Sequence, residues 1–370
     1  MESSKRRVRA KLALAMLFNL SFPLALLALA EGVLLLAVRV PWLPAPGRLL
    51  EPERQAYLDH RHTIQYDRDC ARYDDELAYT LRPGDCTFSN DEFSVRVHVN
   101  RLGLRDDEAS LQAPEVVVLG DSFAMGWGVE QDEAFPQLLE ARTGLRVLNA
   151  GVASYGTARE VLTLGRIDLS RLHLLVIQYC GANDVPENRV FVENGGRLPV
   201  MTRETYDAIA DAYQTGGAYW FGSYLYRLVK DRVSPEPPLA RQLAQRMGAN
   251  ADNYLVQFSR VDARSEARLF LDVLARAPVD LSGVPIVVLE LEGWGRLDDE
   301  FLDALDAELS AGAAPRPGAK LRTLRLSHRL DARRHYFRLD DHMNAAGHRE
   351  VADALVALLP ELGIRAGSAP

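Results

Sequence analysis

Residues 116–123 read Val116-Val117-Val118-Leu119-Gly120-Asp121-Ser122-Phe123, an apolar run that stops at a glycine, a carboxylate and a hydroxyl. A short β-branched run closed by a turn signal reads as a buried strand. Similar runs lie at 145–148, 172–179, 284–291 and, more weakly, 321–326. Helical stretches fall between or after them, at 135–142, 158–164, 298–309 and 345–359, with a long mixed segment over 204–275. Strands alternating with helices imply βαβ crossovers and a parallel sheet covered on both faces. The expectation is a three-layer α/β/α fold, flavodoxin-like, with about five parallel strands over 113–362. Functional loops of such sheets gather outside the carboxyl ends of the strands.

Working outward, residues 186–275 exceed a normal connection and read as a helical insertion over the site. Its centre carries Tyr219, Trp220, Phe221, Tyr224 and Tyr226. These rings suit stacking on sugars, but read more readily as a helix packed on the core or lying at a membrane surface. Upstream, 56–112 holds strand-like pieces at 87–88 and 93–99 and reads as a small β-rich lead-in, too short to bury much core alone. Residues 39–55 are proline-rich and read as a linker, and 363–370 as a tail. Cys70 and Cys86 lie close together in the lead-in, where a disulfide would staple a loop-rich module. Cys180 ends an apolar run and reads as buried.

The chain of 370 residues has a net charge of −8. Lys5, Arg6, Arg7, Arg9 and Lys11 crowd into 1–11, so the body is more acidic still. Such a body argues against sequence-independent nucleic-acid binding. Residues 12–38 are almost continuously apolar and long enough for a transmembrane signal anchor. The basic flank places the N-terminus in the cytoplasm of a bacterial inner membrane and the body in the periplasm. Cleavage after Ala28-Leu29-Ala30, releasing a soluble protein, is the rival reading. Glu31 is expected near the outer interface, reaching water.

Ser122 at a strand end is a candidate nucleophile, because the coming helix offers unpaired N–H groups and a positive dipole end to an oxyanion. Alone, the triplet reads sooner as a turn in which Asp121 or Ser122 caps the helix. The G-x-S-x-G elbow is absent. The second strand ends in Asn149-Ala150-Gly151 and the third in Gly181-Ala182-Asn183-Asp184. Glycine allows close backbone approach, and a carboxamide donates to an oxyanion without ionising. Near the C-terminus stands Asp340-Asp341-His342, ahead of a helix beginning near Asn344. Histidine is the base a serine needs, and a carboxylate holds its tautomer. His335, His342 and His348 as metal ligands find no supporting cysteine or HExxH spacing, so neither metal nor organic cofactor is expected.

Taken in order, GDSF, NAGVASYG, GAND and DDH resemble the SGNH (GDSL-like) hydrolases over about 114–359, leaving the insertion unmatched. The resemblance implies Ser122 as nucleophile, His342 as base, and the Ser122 N–H, Gly151 and Asn183 as oxyanion hole. The family sets its aspartate three residues before the histidine, where this chain has Leu339. The two-residue spacing of Asp340 resembles the alginate O-acetyltransferase branch. That favours Asp340, with Asp341 expected to point away and cap the next helix. NRLGLRDDE followed by VVLGDSFAMGWGV resembles membrane-anchored members linked with exported polysaccharides. The implied activity is removal of O-acetyl groups from an envelope glycan. The alternatives are O-acetyl transfer to a glycan and a non-catalytic subunit beside polysaccharide-export proteins.

Overall fold

A computed structural model describes residues 2–39, 63–90, 92–199, 201–216, 222–226, 229, 261–295, 297–315, 318–338 and 340–365. The linker, the rings of Tyr219, Trp220 and Phe221, Leu339 and the end of the tail lie outside them. The chain divides into two units, Met1–His60 with Thr215–Gln242, and Arg61–Gln214 with Leu243–Pro370.

In the second unit, strands β1 (Ala71–Asp74), β2 (Ala78–Leu81), β3 (Gly84–Ser89) and β4 (Ser94–Val99) form two antiparallel pairs. Strands β5 (Val116–Leu119), β6 (Val147–Asn149), β7 (Leu174–Tyr179), β8 (Pro285–Glu290) and β9 (Lys320–Leu324) form one sheet. Its order is β6-β5-β7-β8-β9, and every pairing is parallel. The order reverses between β5 and β7, which is where doubly wound sheets open a crevice.

Side chains alternate across a strand, and the two faces feed separate cores. Val117, Leu119, Ile177 and Val288 join Val161, Phe191, Phe270 and Leu302 on one side. Val116, Val118, Val176 and Leu289 join Phe135, Leu139, Val351 and Leu355 on the other. Helices therefore cover both faces, as a sheet of all-apolar strands requires. Strand β9, the least buried, is the one whose sequence signal is weakest.

The long connection is partly a correction. Helices Gly181–Glu193 and Ala263–Ala275 are its two ends, and Phe191, Ala267, Phe270 and Leu274 lie in the sheet's own core. They belong to the layered domain rather than to an insertion above it. The lead-in has no core of its own either. Ile64, Cys70, Leu81, Val95, Val97 and Val99 pack with Met125, Trp127 and Ala153 of the α/β domain. Cys70 and Cys86 form a disulfide with Cα atoms 5.4 Å apart.

In the first unit, Glu2–Arg39 is one continuous helix through Pro23, so the basic residues Lys5 to Lys11 are part of it. The window Ser21–Val38 has a mean hydropathy of 2.1, long and apolar enough to cross a membrane. Glu31 does not reach water as expected: it is buried and accepts the N–H groups of Tyr224 (3.0 Å) and Leu225 (2.9 Å). A buried carboxylate needs such donors.

Candidate active site

Helix Ser122–Met125 begins at the residue after the Gly120-Asp121 turn and ends at Gly126, whose φ of 87° suits a residue without a Cβ. Asp121 caps it, accepting the Phe123 N–H at 2.9 Å. Gln178, near the carboxyl end of the neighbouring strand β7, accepts the Asp121 N–H (3.0 Å) and the Ala124 N–H (3.3 Å). The serine is thus fixed between a strand end and a helix N-terminus by a turn whose Asp121, Phe123 and Ala124 N–H groups all have acceptors. Its Oγ lies 2.6 Å from His342 Nε2.

His342 Nδ1 lies 2.7 Å from Asp340 Oδ1, and the His342 N–H reaches the same oxygen at 3.1 Å. Asp340 Oδ2 accepts from Asn90 Nδ2 (2.8 Å) and from Trp127 Nε1 (3.1 Å). The Trp127 ring stacks on His342, with centroids 5.0 Å apart and planes 23° apart, and Phe123 flanks the imidazole at 4.8 Å. Ser122, Asp340 and His342 are all buried. Burial works against an imidazolium here, yet Asp340 and then Asp341 overcome it and raise the His342 pKa to about 10. The two carboxylates stabilise the species that forms when a serine gives up its proton.

Asp341 does not point away. Its Oδ1 is 3.3 Å from His342 Nδ1, and the following helix is capped by Asn344, whose side chain accepts the Ala346 and Gly347 N–H groups. Asp340 is the closer carboxylate and has no solvent exposure, against 29% for Asp341.

The oxyanion side departs from expectation in part. Asn183 sits in the first turn of helix Gly181–Glu193, not in a loop, and Nδ2 donates to Asp121 Oδ2 at 2.6 Å. That leaves its second amide hydrogen, because a carboxamide has two. The Ser122 N–H is one of the amides a helix start leaves without an intrahelical acceptor. Gly151 is different: its N–H donates to Asn149 Oδ1 at 3.0 Å, so it is already engaged. The reason for glycine is space, since a Cβ there would lie 2.4 Å from Met125 N.

The other histidines are occupied elsewhere. His335 Nδ1 accepts the Asp331 N–H at 2.9 Å, and His348 Nδ1 accepts the Phe135 N–H at 3.3 Å. Burial drives His348 down to about 3, which keeps it a neutral acceptor. Among the described residues, Asp340, Asp341 and His342 could together hold a cation, but His342 presents Nδ1 to Asp340 and Nε2 to Ser122.

Sequence reasoning missed Asn90, Glu92, Trp127, Gln178 and Arg105. Glu92 accepts the main-chain N–H groups of Arg338 (2.8 Å) and Asp340 (2.7 Å). Arg105, buried and lowered to about 10 by burial, donates to the carbonyls of Gly126 and Val129 and so braces the loop that carries Trp127. Its neighbour Asp106 accepts the Asn149 N–H at 2.8 Å, tying NRLGLRDDE to the end of β6. The one legible signal was Trp127 itself, a large ring between two glycines just after the candidate nucleophile.

No protein-family model and no curated protein sequence matches this chain. Among solved structures, it aligns with a putative lipolytic protein of the G-D-S-L family from Desulfitobacterium hafniense. That pair shares 11% identity at a TM-score of 0.30, covering 66% of this chain and 98% of that one. It also aligns with a carbohydrate esterase family 2 enzyme plus carbohydrate-binding domain from Corynascus thermopiles. There the identity is 15% and the TM-score 0.32, over 67% of this chain and 66% of that one. Likeness at this level carries no argument about activity. The structure itself defines a parallel α/β domain with a buried serine–histidine–aspartate chain at the carboxyl ends of its strands.

Proposed function

We propose that this chain is a serine-dependent carboxylic ester hydrolase acting outside the cytoplasm on O-acyl, chiefly O-acetyl, groups of an envelope or exported glycan. One observation carries the catalytic part: Ser122 Oγ, His342 and Asp340 are linked at 2.6 and 2.7 Å, with the serine at a helix start. His342 Nε2 takes the Ser122 proton as Oγ bonds to the ester carbonyl carbon, whose π pair moves onto oxygen. The Ser122 N–H and the second Asn183 N–H face that charge, and Gly151 joins only if Asn149 Oδ1 releases it. Collapse expels the alcohol, which takes the proton from His342. Water then repeats the sequence on the acyl-serine and releases the acid. One oxyanion donor is typically worth about 10²–10³ in rate.

The extracytoplasmic part rests on the N-terminal apolar helix with its basic flank, and on the Cys70–Cys86 disulfide, a bond that persists in oxidising compartments. The topology is an inner-membrane anchor with a cytoplasmic N-terminus. The glycan rests on the sequence resemblance, and proteins of a polysaccharide machinery are the proposed neighbours. A second reading, acyl transfer to a glycan hydroxyl, is favoured by one feature: the carboxylate on His342 stands two residues before it, as in the acetyltransferase branch that the motifs resemble.

Turnover of an aryl acetate by the detergent-solubilised chain tests the proposal. Activity lost in Ser122→Ala and His342→Ala supports it, and a folded wild type without turnover refutes it. Running the reaction with an acetylated glycan and a free acceptor separates water from transfer: acetate released at a rate indifferent to acceptor excludes transfer.

A further inference from the structure

Asp340 belongs to the α/β domain, but much of what holds it comes from the lead-in. The turn between β3 and β4 holds Arg338 and Asp340 through three hydrogen bonds. Asn90 Nδ2 donates to Asp340 Oδ2 at 2.8 Å, and the Glu92 carboxylate takes the main-chain N–H groups of Arg338 and Asp340. The turn is itself set, because Asn90 Oδ1 accepts the N–H groups of Glu92 (2.8 Å) and Phe93 (3.2 Å). Asn90 thus uses one end of its amide to shape the turn and the other to hold the carboxylate. Phe88 and Phe93, on either side, pack on Trp127, the second donor to the same Asp340 oxygen. The disulfide fixes strand β3 through Cys86.

The geometry points to Asn90 as a positioning residue for the reaction: it orients the Asp340 carboxylate toward His342 from outside the α/β domain, with Glu92 fixing the backbone that carries it. This rests on the esterase reading for its kinetic consequence, but not for its structural one. A carboxylate has two oxygens and turns about one bond. With Oδ2 fixed by Asn90 and Trp127, Oδ1 is left facing both the ring and main-chain N–H of His342. Small displacements of a catalytic group are costly in rate, about 10²-fold for 1 Å.

Two substitutions and one control test it in the full chain. In Asn90→Leu the donor is lost at similar volume. We expect kcat on an aryl acetate to fall about ten- to hundredfold with KM unchanged, and the His342 titration, followed by NMR of isotope-labelled histidine, to move down toward the ordinary histidine range. Asn90→Asp keeps the shape. The groups facing the introduced carboxyl are Asp340 and Glu92. While protonated it still donates to Asp340, and once ionised it repels it, so activity bends downward with rising pH where the wild type climbs. Ser94→Ala removes the exposed Ser89–Ser94 hydrogen bond of the same hairpin (2.8 Å) without touching Asp340, and leaves the His342 titration in place. A wild-type His342 titration in Asn90→Leu, or a wild-type pH profile in Asn90→Asp, overturns the proposal. If the wild type hydrolyses nothing, the esterase reading fails, and the NMR titration still decides the role of Asn90.

Discussion

Asp340 and Asp341 are neighbours in the chain with different surroundings. Asp340 is fully buried and receives the His342 ring N–H, the His342 main-chain N–H, Asn90 and Trp127, while Asp341 is part-exposed and 3.3 Å from the ring. Both raise the His342 pKa, but only Asp340 has the geometry to orient the ring. On the proposed mechanism the working base is the neutral imidazole, whose fraction grows as pH rises through that pKa. The rate of the wild type is therefore expected to climb from neutral into alkaline pH, with an acid limb well above the ordinary histidine range. Asp341→Asn removes one stabilising charge, so the limb moves to lower pH while the plateau stays within about tenfold. Asp340→Asn also lowers the limb, but the plateau drops by roughly 10³–10⁴ because ring orientation is lost. Comparison of kcat/KM–pH profiles checks both. A larger plateau loss for Asp341→Asn would reverse the assignment.

At the scale of elements, Gly151 shows how tightly the nucleophile turn is packed, whatever its N–H does. The end of β6 meets the backbone of helix Ser122–Met125 so closely that a Cβ would sit 2.4 Å from Met125 N and 2.8 Å from Ala124 C. Backbone cannot move aside as a flexible side chain can. Gly151→Ala is expected to cost about 1–3 kcal/mol or more, as overpacking does, with the nucleophile helix displaced and turnover lost. Chemical denaturation beside kinetics checks this, and an alanine variant of wild-type stability would contradict the packing. The strands themselves were legible because a buried parallel strand needs an unbroken apolar run, which Val116–Leu119 and Leu174–Tyr179 supply. The serine, histidine and both aspartates were legible as residue types beside strand ends. The contact of Asn90 with Asp340 was not, since the two are 250 residues apart and the turn that joins them reads locally as a polar loop. The same holds for Gln178, a buried amide inside an apolar strand, whose partners lie in the turn after β5.

For the molecule as a whole, buried titratable groups set the response to pH. Burial pushes the carboxyls of Asp106, Glu290 and Glu292 up to about 7, 8 and 7. Their unfolded values are about 4, so the folded state holds protons that the unfolded state releases, and stability falls as pH rises from about 4 toward 8. His342 adds the same sign higher up, because its stabilisation is complete below the unfolded value of about 6.5 and is lost toward 10. Asp74 acts at the other end. Partial burial opposes its charge, but Arg166 and the Leu77 and Glu76 N–H groups hold it down to about 2, so its contribution is lost as pH falls below 4. Calorimetric Tm is therefore expected to be highest near pH 4 and to decline steadily to pH 9. A Tm that rises over that interval would contradict the burial of these groups.

The central claim is that Ser122 is an activated nucleophile. A fluorophosphonate probe reacts with such a serine and leaves ordinary hydroxyls alone, so labelling of the folded chain followed by peptide mapping reads the claim directly. A single adduct on Ser122 is expected, abolished by Ser122→Ala and strongly slowed by His342→Ala. A folded wild-type chain that stays unlabelled, or carries its adduct on another residue, would contradict it.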